Sequence, residues 1–445
     1  MEVFFSLEKM RQTLKVKKER AILVAAALGN IARDGLVELT ALAETAGAVV
    51  VDRFQQRIRK INPSTYIGKG KAEQLQSRVK RFKAEVIIFD NDLSPGQIRE
   101  LEEITETKVI DRSELILDIF ATRAKTRQAR LQVELAQLEY TYPRLTRMWS
   151  HLDTVAGAGG GTAAGAVGGI GTRGTGEKQL EIDRRLVSKR ITELKRELEN
   201  IDKRRVREID ARKGLFKICL VGYTNAGKST LLNTLTDADV LVEDRLFATL
   251  DTRTRRWVPT KAVEVLISDT VGFVKNLPHQ LVASFKATLE ETVNADLLLH
   301  VIDVSNPDAM EQIESVKKVL EEIDCGKKPI LQVFNKIDAV RKISDFEMLR
   351  TIYPDAVSIS ARTGLGLESL SEAVVAQYKG TEVHIRVTYT HTSGKVTNFL
   401  RSQGKILDIQ YSEDLVTAEA RLGRNQLPEL RHLHPEKVEV IDETK

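Results

Sequence analysis

Cysteine is nearly missing from this chain: 445 residues hold only two, Cys219 and Cys325. Two distant thiols supply neither a disulfide framework nor a zinc-ligand spacing, and they fit a reducing compartment. Long apolar runs are missing as well. That excludes a helical membrane span, which needs about 20 consecutive apolar residues. The one lure is residues 22–28, which follow Lys15, Lys17, Lys18 and Arg20 like a short signal peptide. The run is brief and leads into Asn30, Arg33 and Asp34, so it reads as a first buried strand and the protein is expected in the cytoplasm. Metal-ligand spacing is absent among the histidines too. His151, His384 and His391 stand apart, and His432 and His434 are too close to share a helix face, so surface roles are expected.

What is present is a globular composition, 42% hydrophobic and 29% charged, in a length that calls for two to four domains. The net charge of +5 matters only where it is concentrated. Residues 1–113 alternate short apolar runs, at 22–25, 49–51, 86–89 and 108–110, with helical patterns at 72–81 and 97–104. The second of those helices is opened by Ser94-Pro95, and the rhythm is that of an α/β sheet subdomain. Residues 114–213 change character. Leu131, Leu135, Leu138, Tyr142 and Leu145 form a seam, and Val187, Ile191, Leu194, Leu198 and Ile201 form a second one. Between them lies a stretch of Gly, Ala and Thr at 156–176, so the segment reads as an antiparallel helical hairpin with a glycine-rich tip. Basic residues gather there: Arg123, Lys125, Arg127, Arg130, Arg144 and Arg147, then Arg173 and Lys178 at the tip, then Lys203, Arg204, Arg205 and Arg207. Small residues beside Arg and Lys let backbone amides approach phosphates. Residues 214–379 alternate strands (217–221, 263–267, 297–304, 330–335, 356–359) with helices. Residues 380–445 read as a small α+β domain with strands at 383–387, 405–411 and 415–420.

The chemistry sits at strand ends. Gly222-Tyr223-Thr224-Asn225-Ala226-Gly227-Lys228-Ser229 matches the phosphate-loop pattern without departure, after a strand and before a helix opened by Thr230. Its glycines let backbone amides wrap phosphates; Lys228 would reach the β- and γ-phosphates and Ser229 would bind Mg²⁺. Asp269-Thr270-Val271-Gly272 follows a later strand; Asp269 would hold the magnesium through water, and the Gly272 amide would meet the γ-phosphate. Asn335-Lys336-Ile337-Asp338 follows another. Asp338 can accept from guanine's ring N–H and exocyclic amine, which adenine lacks, so this carboxylate selects GTP. Asn335 would touch the base and brace the phosphate loop, and the Lys336 stem would stack on the base. Ser360-Ala361-Arg362 would offer an amide to the guanine carbonyl. Four such motifs in order, each at a strand's carboxyl end, read as a magnesium-dependent GTPase of doubly wound, mostly parallel sheet.

Two positions qualify the chemistry. Phe273 stands directly after Gly272, where Ras-like enzymes keep the glutamine that orients water, so hydrolysis is expected to be slow until something external raises it. Asn225 could hold a potassium ion near the phosphates and do an arginine's electrostatic work. Between phosphate loop and Asp269 runs Phe247-Ala248-Thr249-Leu250-Asp251-Thr252. One threonine there should coordinate Mg²⁺. Chemistry alone does not choose between Thr249 and Thr252; similarity of residues 247–250 to the first switch of Obg-like GTPases favours Thr249.

Four stretches resemble the HflX family of ribosome-associated GTPases. They are Tyr66-Ile67-Gly68-Lys69-Gly70-Lys71-Ala72-Glu73, residues 130–138 with Pro143-Arg144-Leu145, Gly168-Gly169-Ile170-Gly171-Thr172-Arg173-Gly174 with Gly176-Glu177, and the phosphate loop. The similarity spans nearly the whole chain. Thr175, Lys178 and Thr252 depart from the residues usual in the family, and 156–166 lengthen the tip. The resemblance implies binding to the large ribosomal subunit, with hairpin and glycine-rich loop directed at ribosomal RNA near the peptidyl-transferase region. It also implies GTP-dependent splitting of stalled or idle ribosomes under stress.

Overall fold

The computed structural model describes residues 19–28, 36–158, 184–201, 215–236, 247, 252–260, 263–275, 291–380, 382–412, 414–423 and 426–442, with the side chains of 144–158, 428 and 442 excepted. Ala248, Thr249, Leu250 and Asp251 lie outside these residues, as do Leu145, Arg144 and Arg147 as side chains, the tip beyond 158 with Arg173 and Lys178, and the block Lys203–Arg207. The described residues fall into two compact units. The first runs to 201 and includes Phe247 and Lys275; the second holds the rest.

The first unit is built on a parallel sheet of order β2-β1-β3-β4, from β1 (Arg20–Leu28), β2 (Val49–Ile58), β3 (Val86–Phe89) and β4 (Lys108–Asp111). Parallel strands covered on both faces need near-continuous apolar sequence. Ile22, Leu23, Val24 and all four residues of β3 are buried accordingly. Helices α1 (Val37–Ala46), α2 (Lys69–Phe82) and α3 (Pro95–Thr105) cover it. The Ser94-Pro95 start is a full capping box: Ser94 Oγ accepts from the Gln97 amide, and Gln97 Oε1 accepts from the Ser94 amide. α4 (Arg112–Arg123) is buried almost all round, at Leu115, Ile116, Leu117, Ile119 and Phe120, so it packs with the sheet rather than opening the hairpin.

The hairpin follows. Helix α5 (Arg127–Ala158) carries Pro143 in its interior, and α6 spans 184–201. Leu131, Leu135, Leu138 and Tyr142 meet Val187, Ile191, Leu194, Leu198 and Ile201 in one cluster, as the two seams require. The pairs Arg127–Glu197 (3.2 Å), Glu134–Arg190 (3.1 Å) and Tyr142 under the Arg184 guanidinium (5.5 Å) run in opposite order along the helices, so they are antiparallel. Also in this unit, the Phe247 ring meets Phe120 edge-on at 4.6 Å between centroids.

The second unit contains a six-stranded sheet of order β10-β9-β8-β5-β7-β6. Its strands are β5 (Phe216–Gly222), β6 (Arg253–Thr260), β7 (Val263–Asp269), β8 (Leu297–Asp303), β9 (Ile330–Asn335) and β10 (Val357–Ser358). All pair in parallel except β6, which runs antiparallel to β7. β5 has β7 on one side and β8 on the other, so the strand order reverses at β5 and opens a crevice at its carboxyl end. The core collects Ile218, Leu220, Leu231, Val265, Ile267, Leu299 and Val301. A last, antiparallel sheet of order β12-β13-β11-β14 ends the chain, from β11 (Glu382–Thr390), β12 (Gly404–Tyr411), β13 (Leu415–Gly423) and β14 (Lys437–Asp442). Helix 394–403 packs Val396 and Leu400 against its inner face.

Candidate functional site

Every described sequence motif of the GTPase reading stands at the carboxyl end of the six-stranded sheet. β5 ends in Gly222, and the loop through Gly227 delivers the chain to helix α7 (Lys228–Thr236). Two glycines here are geometric necessities. A Cβ on Gly222 would sit 2.3 Å from the Val301 carbonyl oxygen of β8. One on Gly227, at φ +93°, would sit 2.3 Å from Asn335 Nδ2. Asn225 takes a left-handed φ of 61° and is exposed at the loop's apex. Buried Lys228 donates to the carbonyls of Gly222 (3.0 Å) and Tyr223 (2.8 Å), and burial lowers its pKa to about 8 against the pull of Asp269. The Thr224 hydroxyl is buried with no hydrogen-bond partner among the described residues, a polar group left for a ligand.

Ser229 Oγ donates to Asp269 Oδ2 at 2.6 Å, and Asp269 is fully buried at the end of β7. A hydroxyl beside a buried carboxylate is a hard-oxygen donor set suited to magnesium. Thr270 donates to the Leu220 carbonyl at 2.7 Å, and Val271 is buried behind it. Gly272 lies against the phosphate loop; a Cβ there would meet Thr224 Cα at 2.8 Å and Lys228 Nζ at 3.0 Å. Phe273 is buried and bridges the loop through its backbone. Its carbonyl accepts from Thr224 N at 2.8 Å, and its amide donates to Gly222 O at 3.1 Å.

The far side of the crevice is tied to the loop by one side chain. Asn335, at the end of β9, donates through Nδ2 to the Ala226 carbonyl (2.8 Å) and accepts at Oδ1 from the Ala361 amide (2.9 Å). The brace expected of Asn335 is therefore present. Ser360-Ala361 is expected to offer an amide to the guanine carbonyl; in this structure the Ala361 amide donates to Asn335, and Ser360 Oγ accepts from Thr363 N at 3.2 Å. Arg362 follows in the same turn. Lys336 has a left-handed φ of 65°, and Asp338 lies in the 3₁₀ turn Ile337–Ala339 that follows. Sequence reasoning missed the partner of Lys336: its Nζ is 2.8 Å from Asp303 Oδ2, at the end of β8. It also missed His300, buried on β8, whose pKa falls to about 3 through burial and then the charges of Lys317 and Lys228. Thr230 is half-buried in the first turn of α7, and Thr252 is half-buried just before β6.

Cys219 is not set up as a nucleophile. It is fully buried in β5, its Sγ 3.3 Å from Thr292 Oγ1, and burial pushes its thiol up to about 12. Among the described residues no helix is long and apolar enough to cross a membrane.

Three family models match in series: one described as GTP-binding GTPase N-terminal over residues 33–121, one as GTP-binding GTPase Middle Region over 123–212, and one as 50S ribosome-binding GTPase over 217–336. The chain is 44% identical over 406 residues to the GTPase HflX of Lacrimispora saccharolytica, covering 90% of this chain and 93% of that protein. It is also 44% identical over 353 residues to the GTPase HflX of Escherichia coli, covering 78% and 80%. Among solved structures it is similar to a GTP-binding protein from the archaeon Sulfolobus solfataricus in complex with GDP, at 25% identity and a TM-score of 0.41 over 81% of this chain and 98% of that one. With its phosphate loop and guanine motifs gathered at one sheet end, and relatives matched along nine-tenths of its length, the chain belongs to the HflX family of GTPases.

Proposed function

We propose that this GTPase is a guanine-nucleotide switch that docks on the large ribosomal subunit through its first unit and hydrolyses GTP slowly until docked. The observation that carries the reading is the Asn335 clasp, which holds the phosphate loop at Ala226 and the Ala361 turn in one frame. On this reading the loop from Gly222 to Gly227 wraps the phosphates, and Lys228 exchanges its carbonyl partners for phosphate oxygens. Ser229, Asp269 and Thr249 would hold Mg²⁺, which would supply positive charge to the phosphates. Asp338 reads the base edge, with Lys336 on its face and 360–362 behind. The buried Thr224 hydroxyl supports a ligand at this spot.

Buried Phe273 has no group to orient water, which supports a slow intrinsic rate and an external stimulus. On this reading Asn225, exposed in the loop, offers an oxygen to a potassium ion. Ribosomal RNA is the polyanion that the basic hairpin suits, since phosphate contacts dominate such affinity. The name of the third family model, 50S ribosome-binding GTPase, supports the same partner. Splitting of stalled or idle ribosomes is the expected outcome and the cytoplasm the expected place. A GTPase of RNA processing or ribosome assembly, without splitting, is the second reading.

Hydrolysis by the purified chain, alone and with large ribosomal subunits, in K⁺ and in Na⁺ buffer, tests the proposal. Stimulation by subunits is expected, and a faster rate in K⁺. Normal GTP binding without stimulation moves the partner away from the ribosome; equal rates in the two salts remove the potassium role.

A further inference from the structure

On the proposed reading Asp338 meets the base edge while Asn335 clasps two loops, but nothing in that motif explains how the lysine between them is kept in place. A free lysine side chain loses rotamer entropy when it is fixed, so a stem that must lie flat on a purine needs an anchor at its far end. The structure supplies one from a different strand. β8 pairs with β9 in parallel register, with Asp303 beside Asn335, and the Val304 amide donates to the Asn335 carbonyl at 3.1 Å. That register brings the last carboxylate of β8 level with the chain just before Lys336.

Lys336 leaves β9 in the left-handed region, which redirects its side chain out of the strand's line. Its ammonium then lands on Asp303 Oδ2 at 2.8 Å. The other oxygen, Oδ1, accepts from the Ser305 amide at 3.0 Å and from Ser305 Oγ at 2.5 Å, so the carboxylate itself is oriented. Asp303 is the less exposed partner, at 14% of its side chain against 30% for Lys336. The stem is thus tied at both ends, Cα by the strand end and Nζ by Asp303, and its four methylenes form a fixed apolar bar.

We infer that Asp303, oriented by Ser305, is a positioning residue for nucleotide binding: it holds the Lys336 stem against the face of the guanine base. The inference rests on the reading of Lys336 as a base-stacking residue. Because the base is common to GTP and GDP, the carboxylate should matter equally for both and should not touch the phosphate chemistry.

The test is a double-mutant cycle in the full-length protein, read as Kd for fluorescent GDP and GTP analogues and as KM and kcat for GTP. Asp303→Asn, which keeps the shape and the Ser305 contacts but loses the charge, is expected to raise both Kd values about tenfold, with the loss on KM and not on kcat. Lys336→Met, which keeps an apolar stem without its anchor, should give a loss of the same size. Asp303→Asn added to Lys336→Met should cost nothing further, and Ser305→Ala about twofold to threefold alone. Melting without nucleotide should hardly move. Additive losses in the double variant, a fall in kcat at constant KM, or an unchanged Kd in Asp303→Asn would overturn the inference. If Lys336→Ala, which removes the stem, left binding intact, the base-stacking reading itself would fall instead.

Discussion

The molecule contains one parallel and one mostly parallel sheet that solve the same architectural problem differently at their carboxyl ends. In the first unit that end is closed by its own side chains. Arg112, with 4% of its side chain exposed, reaches Asp90 at 2.6 Å and Glu38 at 2.8 Å. Asp111 accepts from Tyr140 Oη at 2.5 Å, from Leu93 N and from Glu114 N. In the second unit the same end is held open. Glycines bring backbones into contact, Asn335 clasps two loops by their backbone, and buried Lys228 donates to two backbone carbonyls. A carboxyl-end crevice is a place where ligands can bind, and whether one does depends on whether the polar groups there are already satisfied.

The contrast can be broken from either side. The largest effect is expected at the open end: Asp338→Asn should weaken GTP binding by about a thousandfold, and xanthosine triphosphate, whose C2 carbonyl can accept from the new amide, should become the tighter ligand. Competition binding measures this, and unchanged guanine preference would place base selection elsewhere. At the closed end, Arg112→Met takes the buried cation from Asp90 and Glu38 and should cost the first unit about 3 kcal/mol in urea unfolding while GTP affinity stays within error. Loss of GTP binding in that variant would show that the two ends are not independent. Ser94→Ala removes one half of a capping box and should cost about 1 kcal/mol in the same assay.

The smallest effect at neutral pH is at His300. Its folded pKa of about 3 lies below the ordinary 6.5, so the unfolded chain binds the extra proton first, and stability falls as pH drops from about 6.5 toward 3. His300→Leu should flatten that part of the stability-against-pH curve; an unchanged slope would mean that other groups set the acid limit.

Much of this was legible in sequence because the functional groups are backbone-bound and local. The phosphate loop, residues 269–272, 335–338 and 360–361 each follow an apolar run, and those runs are strands in the fold. The hairpin seams were readable for the same reason, since a four-three spacing marks one helix face. What sequence hid was pairing across distance. β6 is an edge strand rich in arginine with Pro259, so it lacks apolar alternation, and only its pairing with β7 makes it a strand. The last strand, β14, hid in a charged tail. α4 hid its role because a helix buried all round has no periodic stripe, so it read as the start of the hairpin. Asp303 is 33 residues from Lys336, and no local pattern joins them.

The bridge between Phe273 and the phosphate loop has a consequence for timing. Two backbone hydrogen bonds, Thr224 N to Phe273 O and Phe273 N to Gly222 O, splice the segment after β7 directly onto the phosphate loop. A pull on the chain beyond Phe273 therefore arrives at Gly222 and Thr224 in one step, with no side chain to absorb it. The cradle at Gly222 and Thr224 thus keeps its shape only as long as the Phe273 backbone stays in place.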